Sequence, residues 1–119
     1  VGADDGSGGS TTLTEIRDRL SPKATSATPL EISTSETENT WTELFAASSS
    51  RVALEVQLDG TSKIDIGYGD GGSEVVHHSI YNQGEILRLE INRHPQIVGR
   101  VAIRSASTFV SLKAISYEG

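Results

Sequence analysis

The segment Arg51 to Leu58 limits the fold of this chain more tightly than any other. Val52, Leu54, Val56 and Leu58 occupy every second position, and Arg51, Ala53, Glu55 and Gln57 lie between them. A period of two matches a β-strand with one buried and one solvated face, and it conflicts with the 3.6-residue repeat of an amphipathic helix. The alternation recurs along the chain. Leu30 and Ile32 alternate with Glu31 and Ser33, and Ile64, Ile66 and Tyr68 point inward in Lys63 to Tyr68. Leu87, Leu89 and Ile91 share a face, with Arg88 and Glu90 outside. Trp41 to Ala47, Val75 to Tyr81, Ile97 to Ile103 and Thr108 to Tyr117 complete the candidate strands. Asp59-Gly60, the glycine-rich run Gly67 to Ser73 and Asn82-Gln83-Gly84 supply turns. The result is roughly eight short strands at about 10-residue intervals with no helical pattern between them, as in an antiparallel sandwich or barrel. Each strand keeps one polar face, as antiparallel sheets with a solvated side require. Residues 28–119 are therefore predicted to form an all-β antiparallel sandwich, with jelly-roll and immunoglobulin-like connections both compatible with the alternation.

Residues 1–27 have a different composition. The first ten offer only Val1 and Ala3 for burial, too little to repay the entropy of ordering. Thr12 followed by Glu15 forms a capping box, and Leu13, Ile16 and Leu20 then fall on one helical face. Arg17, Asp18 and Arg19 lie mainly on the other face, and Pro22 ends the segment. The spacing predicts a helix over 12–20, too short to be stable alone in water. Its apolar stripe needs a partner, so Leu13, Ile16, Arg17, Arg19 and Leu20 are candidate contacts of a docking arm.

Charge and composition narrow the function classes. The chain has 119 residues, with 16 acidic against 10 basic side chains and a net charge of −6. That is one domain, and its acidity disfavours a nucleic-acid or anionic-membrane surface. No apolar run approaches the roughly 20 residues needed to cross a bilayer, and no charged-then-apolar leader opens the sequence. Cys is absent, which removes disulfides, thiolate nucleophiles and zinc–thiolate sites together.

Several motifs invite chemistry. Gly67-Tyr68-Gly69-Asp70-Gly71-Gly72 matches G-x-G-x-x-G, but Glu74 to His78 continues as a strand where a dinucleotide site needs a helix N-terminus. Asp70 and Glu74 would also repel phosphate. The two carboxylates form a candidate cation loop, although a hard cation wants six to eight oxygens. His77 and His78, as neighbours on a strand, should face opposite ways and fail to share a metal unless the strand is distorted. His94 precedes Pro95 in a turn. No G-x-S-x-G elbow occurs, and pairs such as Glu36/Glu38 lack the apolar surroundings that raise a carboxyl pKa. No metal, no cofactor and no enzymatic activity are expected. Arg88, Arg100 and Arg104 sit at outward positions beside Asp65, Glu55 and Glu90, as cross-strand ion pairs or as a charged subunit interface. Trp41 fits packing better than a sugar platform.

The order of segments then resembles a family. Trp41-Thr42-Glu43-Leu44-Phe45-Ala46-Ala47, Arg51-Val52-Ala53-Leu54-Glu55-Val56-Gln57 and Ile64-Asp65-Ile66-Gly67-Tyr68-Gly69 resemble consecutive strands of small tailed-phage virion proteins. The likeness extends over 28–119 and departs after Gly69, where an acidic loop and His77-His78 stand instead of an apolar turn. The resemblance implies a head decoration, cement or head-fibre protein without catalytic residues, on the capsid exterior, bound non-covalently to the major capsid protein and often trimeric. The arm would then anchor the displayed sandwich. The alternative is a carbohydrate-binding or host-adsorption module, with Trp41 and Tyr68 or Tyr81 stacking on sugar and Asp70 and Glu74 as polar contacts.

Overall fold

The computed structural model describes residues 24–119. The candidate arm contacts Leu13, Ile16, Arg17, Arg19 and Leu20 lie outside the described residues. Eight strands follow in order: β1 Ser26–Ser33, β2 Thr42–Phe45, β3 Arg51–Leu58, β4 Ile64–Tyr68, β5 Val75–Ile80, β6 Ile86–Glu90, β7 Val101–Arg104 and β8 Ser111–Glu118. They form two four-stranded sheets, β1-β8-β3-β6 and β2-β7-β4-β5. All pairings are antiparallel, and β1–β8, β2–β7, β3–β6 and β4–β5 are each partners. Four nested antiparallel pairs wrapped so that β3 also meets β8 and β4 meets β7 make a jelly roll. The sandwich expectation holds, and the topology left open between two connections is settled.

Side chains follow the period of two. Leu54, Val56 and Leu58 from β3 meet Ile64, Ile66 and Ile80 from the facing sheet, and Leu89, Val101, Ile103 and Leu112 fill the remaining space. The Ile97–Ile103 strand is a correction. Pro95–Val98 instead forms a 3₁₀ turn, with Pro95 at its start, and only Val101–Arg104 is extended. The last strand begins at Ser111, because Phe109 adopts a positive φ of 49°.

Arg51 is the larger correction. Alternation places it outside with Glu55 and Gln57, yet it is 3% exposed. The β3–β8 register slips between Arg51 and Ala53, so Arg51 pairs with Glu118 and Ala53 with Tyr117. One extra residue on β3 turns the Arg51 side chain to the inner face. There Nε donates to Ser116 Oγ (2.9 Å), Nη1 to the carbonyls of Ile97 (2.6 Å) and Gly99 (3.2 Å), and Nη2 to that of Ala46 (2.7 Å). The guanidinium also lies 5.1 Å from the Phe45 ring centre. A single fork of donors thus ties the β2–β3 loop, the 3₁₀ turn and β8 at one end of the sandwich. Burial lowers the Arg51 pKa, and the charge of Glu118 opposes that shift.

Candidate functional site

The three outward arginines each find carboxylates within the chain. Arg88 on β6 faces Glu55 on β3 in register, and Nη1 reaches Glu55 Oε2 at 2.9 Å. Its Nε meets Glu90 Oε2 at 3.1 Å, and the guanidinium stacks 5.0 Å from the Tyr117 ring centre. Tyr117 donates its hydroxyl to Glu55 Oε1 (2.8 Å), which completes a network across β8, β3 and β6. Arg104 faces Asp65 in register and bonds Oδ2 at 3.3 Å, with its guanidinium 4.7 Å from the Trp41 ring centre. Burial alone would raise the Asp65 pKa. Hydrogen bonds from Ser79 and Arg104 and the nearby Lys63 outweigh it and hold the carboxyl below its ordinary range. These are the cross-strand pairs that antiparallel register favours.

Arg100, just before β7, closes the acidic loop. Nη1 bonds Glu74 Oε2 at 2.7 Å and the Gly69 carbonyl at 3.1 Å, while Nε bonds Glu43 Oε1 at 2.9 Å. Glu74 Oε1 accepts from the Gly72 N–H at 2.8 Å, and the Glu74 side chain is only 4% exposed. The hydrogen bond from Arg100 leads the contacts that depress the Glu74 pKa. The two carboxylates of the candidate cation loop therefore have different surroundings. Glu74 is occupied by Arg100 and a backbone N–H, and Asp70 is exposed. Among the described residues no three His, Asp or Glu side chains gather as ligands for a metal. Gly69 (φ 135°) and Gly72 (φ 92°) provide the left-handed backbone that the loop requires.

The structure brings His94 up to His77 and His78, which are adjacent in sequence and which alternation alone would turn to opposite faces. The β4–β5 register slips between Ile66 and Gly67, pairing Ile66 with His78 and Gly67 with Val76, so His77 is the extra residue. The distortion places both imidazoles beside Tyr68, with ring centres 4.8 Å (His77) and 5.8 Å (His78) away. His94, from the turn after β6, packs edge-on to His78 at 5.1 Å. Tyr68 Oη lies 3.1 Å from His78 Nε2. Burial pushes the Tyr68 pKa up to about 12, so the phenol keeps its proton and can donate it to Nε2. Burial, with the charges of His94 and His77, lowers the His78 pKa. No sequence signal joined His94 to this group, since the contact is made only when β6 and β5 become neighbouring edges of the two sheets.

Aromatic exposure bears on the sugar platform. Tyr68 is 8% exposed and turned into the core. Trp41 is half-buried across Gly67, where an added Cβ would lie 2.6 Å from its ring. Tyr81 alone of the three stands clear of the surface, with Lys63 Nζ 5.4 Å from its ring centre.

No family model matches the sequence, and a search of curated proteins gives no match. Among solved structures, the SPBc2 prophage-derived protein YomS is similar with a TM-score of 0.49 and 15% identity, over 81% of this chain and 98% of that one. A protein of Bacillus endospore appendages, described as a novel family of disulfide-linked pili, is similar with a TM-score of 0.43 and 17% identity, over 82% of this chain and 92% of that one. The present chain contains no Cys.

Proposed function

We propose that this chain is a non-catalytic structural protein of a virion, displayed on the outside of a capsid and held there non-covalently by the part of the 1–27 arm that precedes β1, which itself begins at Ser26. The observation that carries the reading is the root of the arm. Thr25 donates both its N–H (2.7 Å) and its hydroxyl (3.2 Å) to the Glu118 carbonyl, at the end of the sandwich that Arg51 ties together. A tether is useful for display only where its root is fixed to the body it carries, and this one enters along edge strand β1. The segments that carry the phage resemblance support the same reading through fold. They are β2, β3 and β4, joined by Arg51 and by Trp41 lying on Gly67. Jelly rolls serve viral capsid and lectin domains alike, so the fold contributes by analogy only. One short amphipathic helix binds weakly, and a trimer presenting three arms would raise its avidity by orders of magnitude.

Sedimentation of native source extract through a sucrose gradient, with mass spectrometry of each fraction, tests the reading. Co-migration with megadalton particles and a major capsid protein is expected, and recovery in light fractions only would refute it. Full-length protein carrying Leu13→Asp and Ile16→Asp should keep the circular dichroism of the sandwich and lose particle binding. Unchanged binding would remove the arm from its role.

A further inference from the structure

Four strands form the edges of the two sheets: β1 and β6 on one, β2 and β5 on the other. An edge strand exposes a row of unpaired backbone N–H and C=O groups, and proteins guard such rows with charge, Pro, brevity or a bulge. β1 carries Pro29 and Glu31, and β6 carries Arg88 and Glu90. β2 is four residues long and contains Glu43. β5 is different. Its sequence Val-Val-His-His-Ser-Ile contains no Lys, Arg, Asp, Glu or Pro, and its one irregularity is the bulge at His77. Val75 is 59% and Val76 39% exposed, so apolar surface accompanies the open edge. Among the described residues, β4 is its only strand partner.

We propose that β5 pairs edge to edge with β5 of a second copy of this chain, antiparallel about a twofold axis, joining two β2-β7-β4-β5 sheets into one. Three observations select that occupant. The missing partner is a row of backbone groups, so the occupant is an extended strand. The side chains beside the row are valines and imidazoles with no carboxylate, ammonium or guanidinium among them, so a charged strand would lose hydration without compensation. The net charge of −6 makes copies repel each other over most of their surface, and β5 is an edge where neither copy brings a carboxylate. A six-residue strand, about 20 Å long, is sufficient for a self-complementary twofold contact. The proposal does not rest on the capsid reading.

Analytical ultracentrifugation of the full chain at neutral pH tests it. The wild type should show a concentration-dependent monomer–dimer equilibrium. Val76→Lys or Val75→Lys, each at an exposed site, should weaken it at least tenfold with circular dichroism unchanged. Ile86→Lys, which removes an equally exposed apolar side chain from the other sheet's edge, should leave it intact. A wild type that stays monomeric overturns the proposal, whether β5 is free or covered by the chain's own arm. So does a dimer or trimer that survives both lysine substitutions, or one that Ile86→Lys dissolves equally well.

Discussion

Replacing Arg51 should unfold this domain more readily than any surface substitution, although alternation alone marks the position as solvent-facing. Arg51→Met keeps most of the side-chain volume and removes every donor. The Ile97 carbonyl is left buried without its 2.6 Å partner, and the Ala46 and Gly99 carbonyls, both part-buried, lose theirs. A buried polar group without a partner costs about 1–3 kcal/mol, and part-buried ones recover some of this from water. Adding the bond to Ser116 Oγ, the loss comes to about 3–5 kcal/mol. Against a typical total of about 5–15 kcal/mol, such a loss would leave a marginal fold. For a domain of this size it corresponds to a fall in Tm of roughly 15–30 °C.

Urea unfolding followed by the fluorescence of Trp41, the single Trp, measures this directly. Arg51→Lys separates charge from geometry. An ammonium retains the charge but cannot span three carbonyls and a hydroxyl as the planar fork does, so its stability should fall between wild type and Arg51→Met. A methionine variant within about 1 kcal/mol of wild type would refute the hub reasoning. A lysine variant as stable as wild type would show that charge alone suffices.

Three further outcomes follow from the geometry. The lowered His78 pKa means the unfolded chain binds the extra proton, so this stabilisation is complete above about 6.5 and is lost as pH falls below it toward the folded value. Urea midpoints should therefore drop between pH 7.5 and 5.5, and His78→Gln should flatten that interval; an equal drop in the variant would exonerate His78. Glu74 and Asp65 are depressed carboxyls whose stabilisation persists above their ordinary values and is lost only at more acid pH, and Arg100→Ala should return the Glu74 titration, followed by NMR, toward the ordinary carboxylate range. Gly67→Ala should cost about 1–3 kcal/mol by overpacking, because its Cβ would lie 2.6 Å from both the Trp41 ring and the Val75 carbonyl. Truncating Trp41 should not rescue it, since the carbonyl belongs to the paired strand; full rescue would show that the indole was the sole obstacle.

Which features the sequence disclosed follows from how far each signal reaches. Alternation is local, so the strands built on it, β3, β4 and β6, lie where expected, with Leu54, Ile66 and Leu89 inside. Strand order is not local, and the jelly roll became legible only through the pairing of β1 with β8 and β2 with β7. Two of the register slips defeated the period of two. The slip beside Val52 sent Arg51 inward, and the slip at His77 set two neighbouring imidazoles against one tyrosine. Bulges leave no strong mark in a single sequence, because the extra residue need not be Gly. At Gly67 a signal was present. It belongs to a G-x-G-x-x-G match that the following strand argues against, and it marks where Trp41 and a backbone carbonyl leave no room for a side chain.

The placement of charge links these details to assembly. Residues 24–119 contain seven Lys or Arg and twelve Asp or Glu. Of the seven, Arg51 is enclosed, and Lys63, Arg88, Arg100 and Arg104 already face carboxylates of the same chain. The body therefore presents a net acidic exterior with few cations to offer an acidic neighbour. Its polarity is uneven. The β1–β2, β3–β4 and β5–β6 loops share the end opposite Thr25, as the Thr34 N–H bond to the Val110 carbonyl, the Leu58 N–H bond to the Glu85 carbonyl and the Gly60 N–H bond to the Ser111 carbonyl show. Those loops carry Glu36, Glu38, Asp59 and Glu85. Acidic bodies packed side by side repel one another, and the repulsion weakens where the surface is neutral or where an arm reaches out with its own cations. β5 meets the first condition. Residues 12–20, whose sequence carries Arg17 and Arg19, would meet the second under the proposed function. The two proposed routes to association, through the uncharged β5 edge and through residues 12–20, are therefore separable, and each should be broken by substitutions that leave the other untouched.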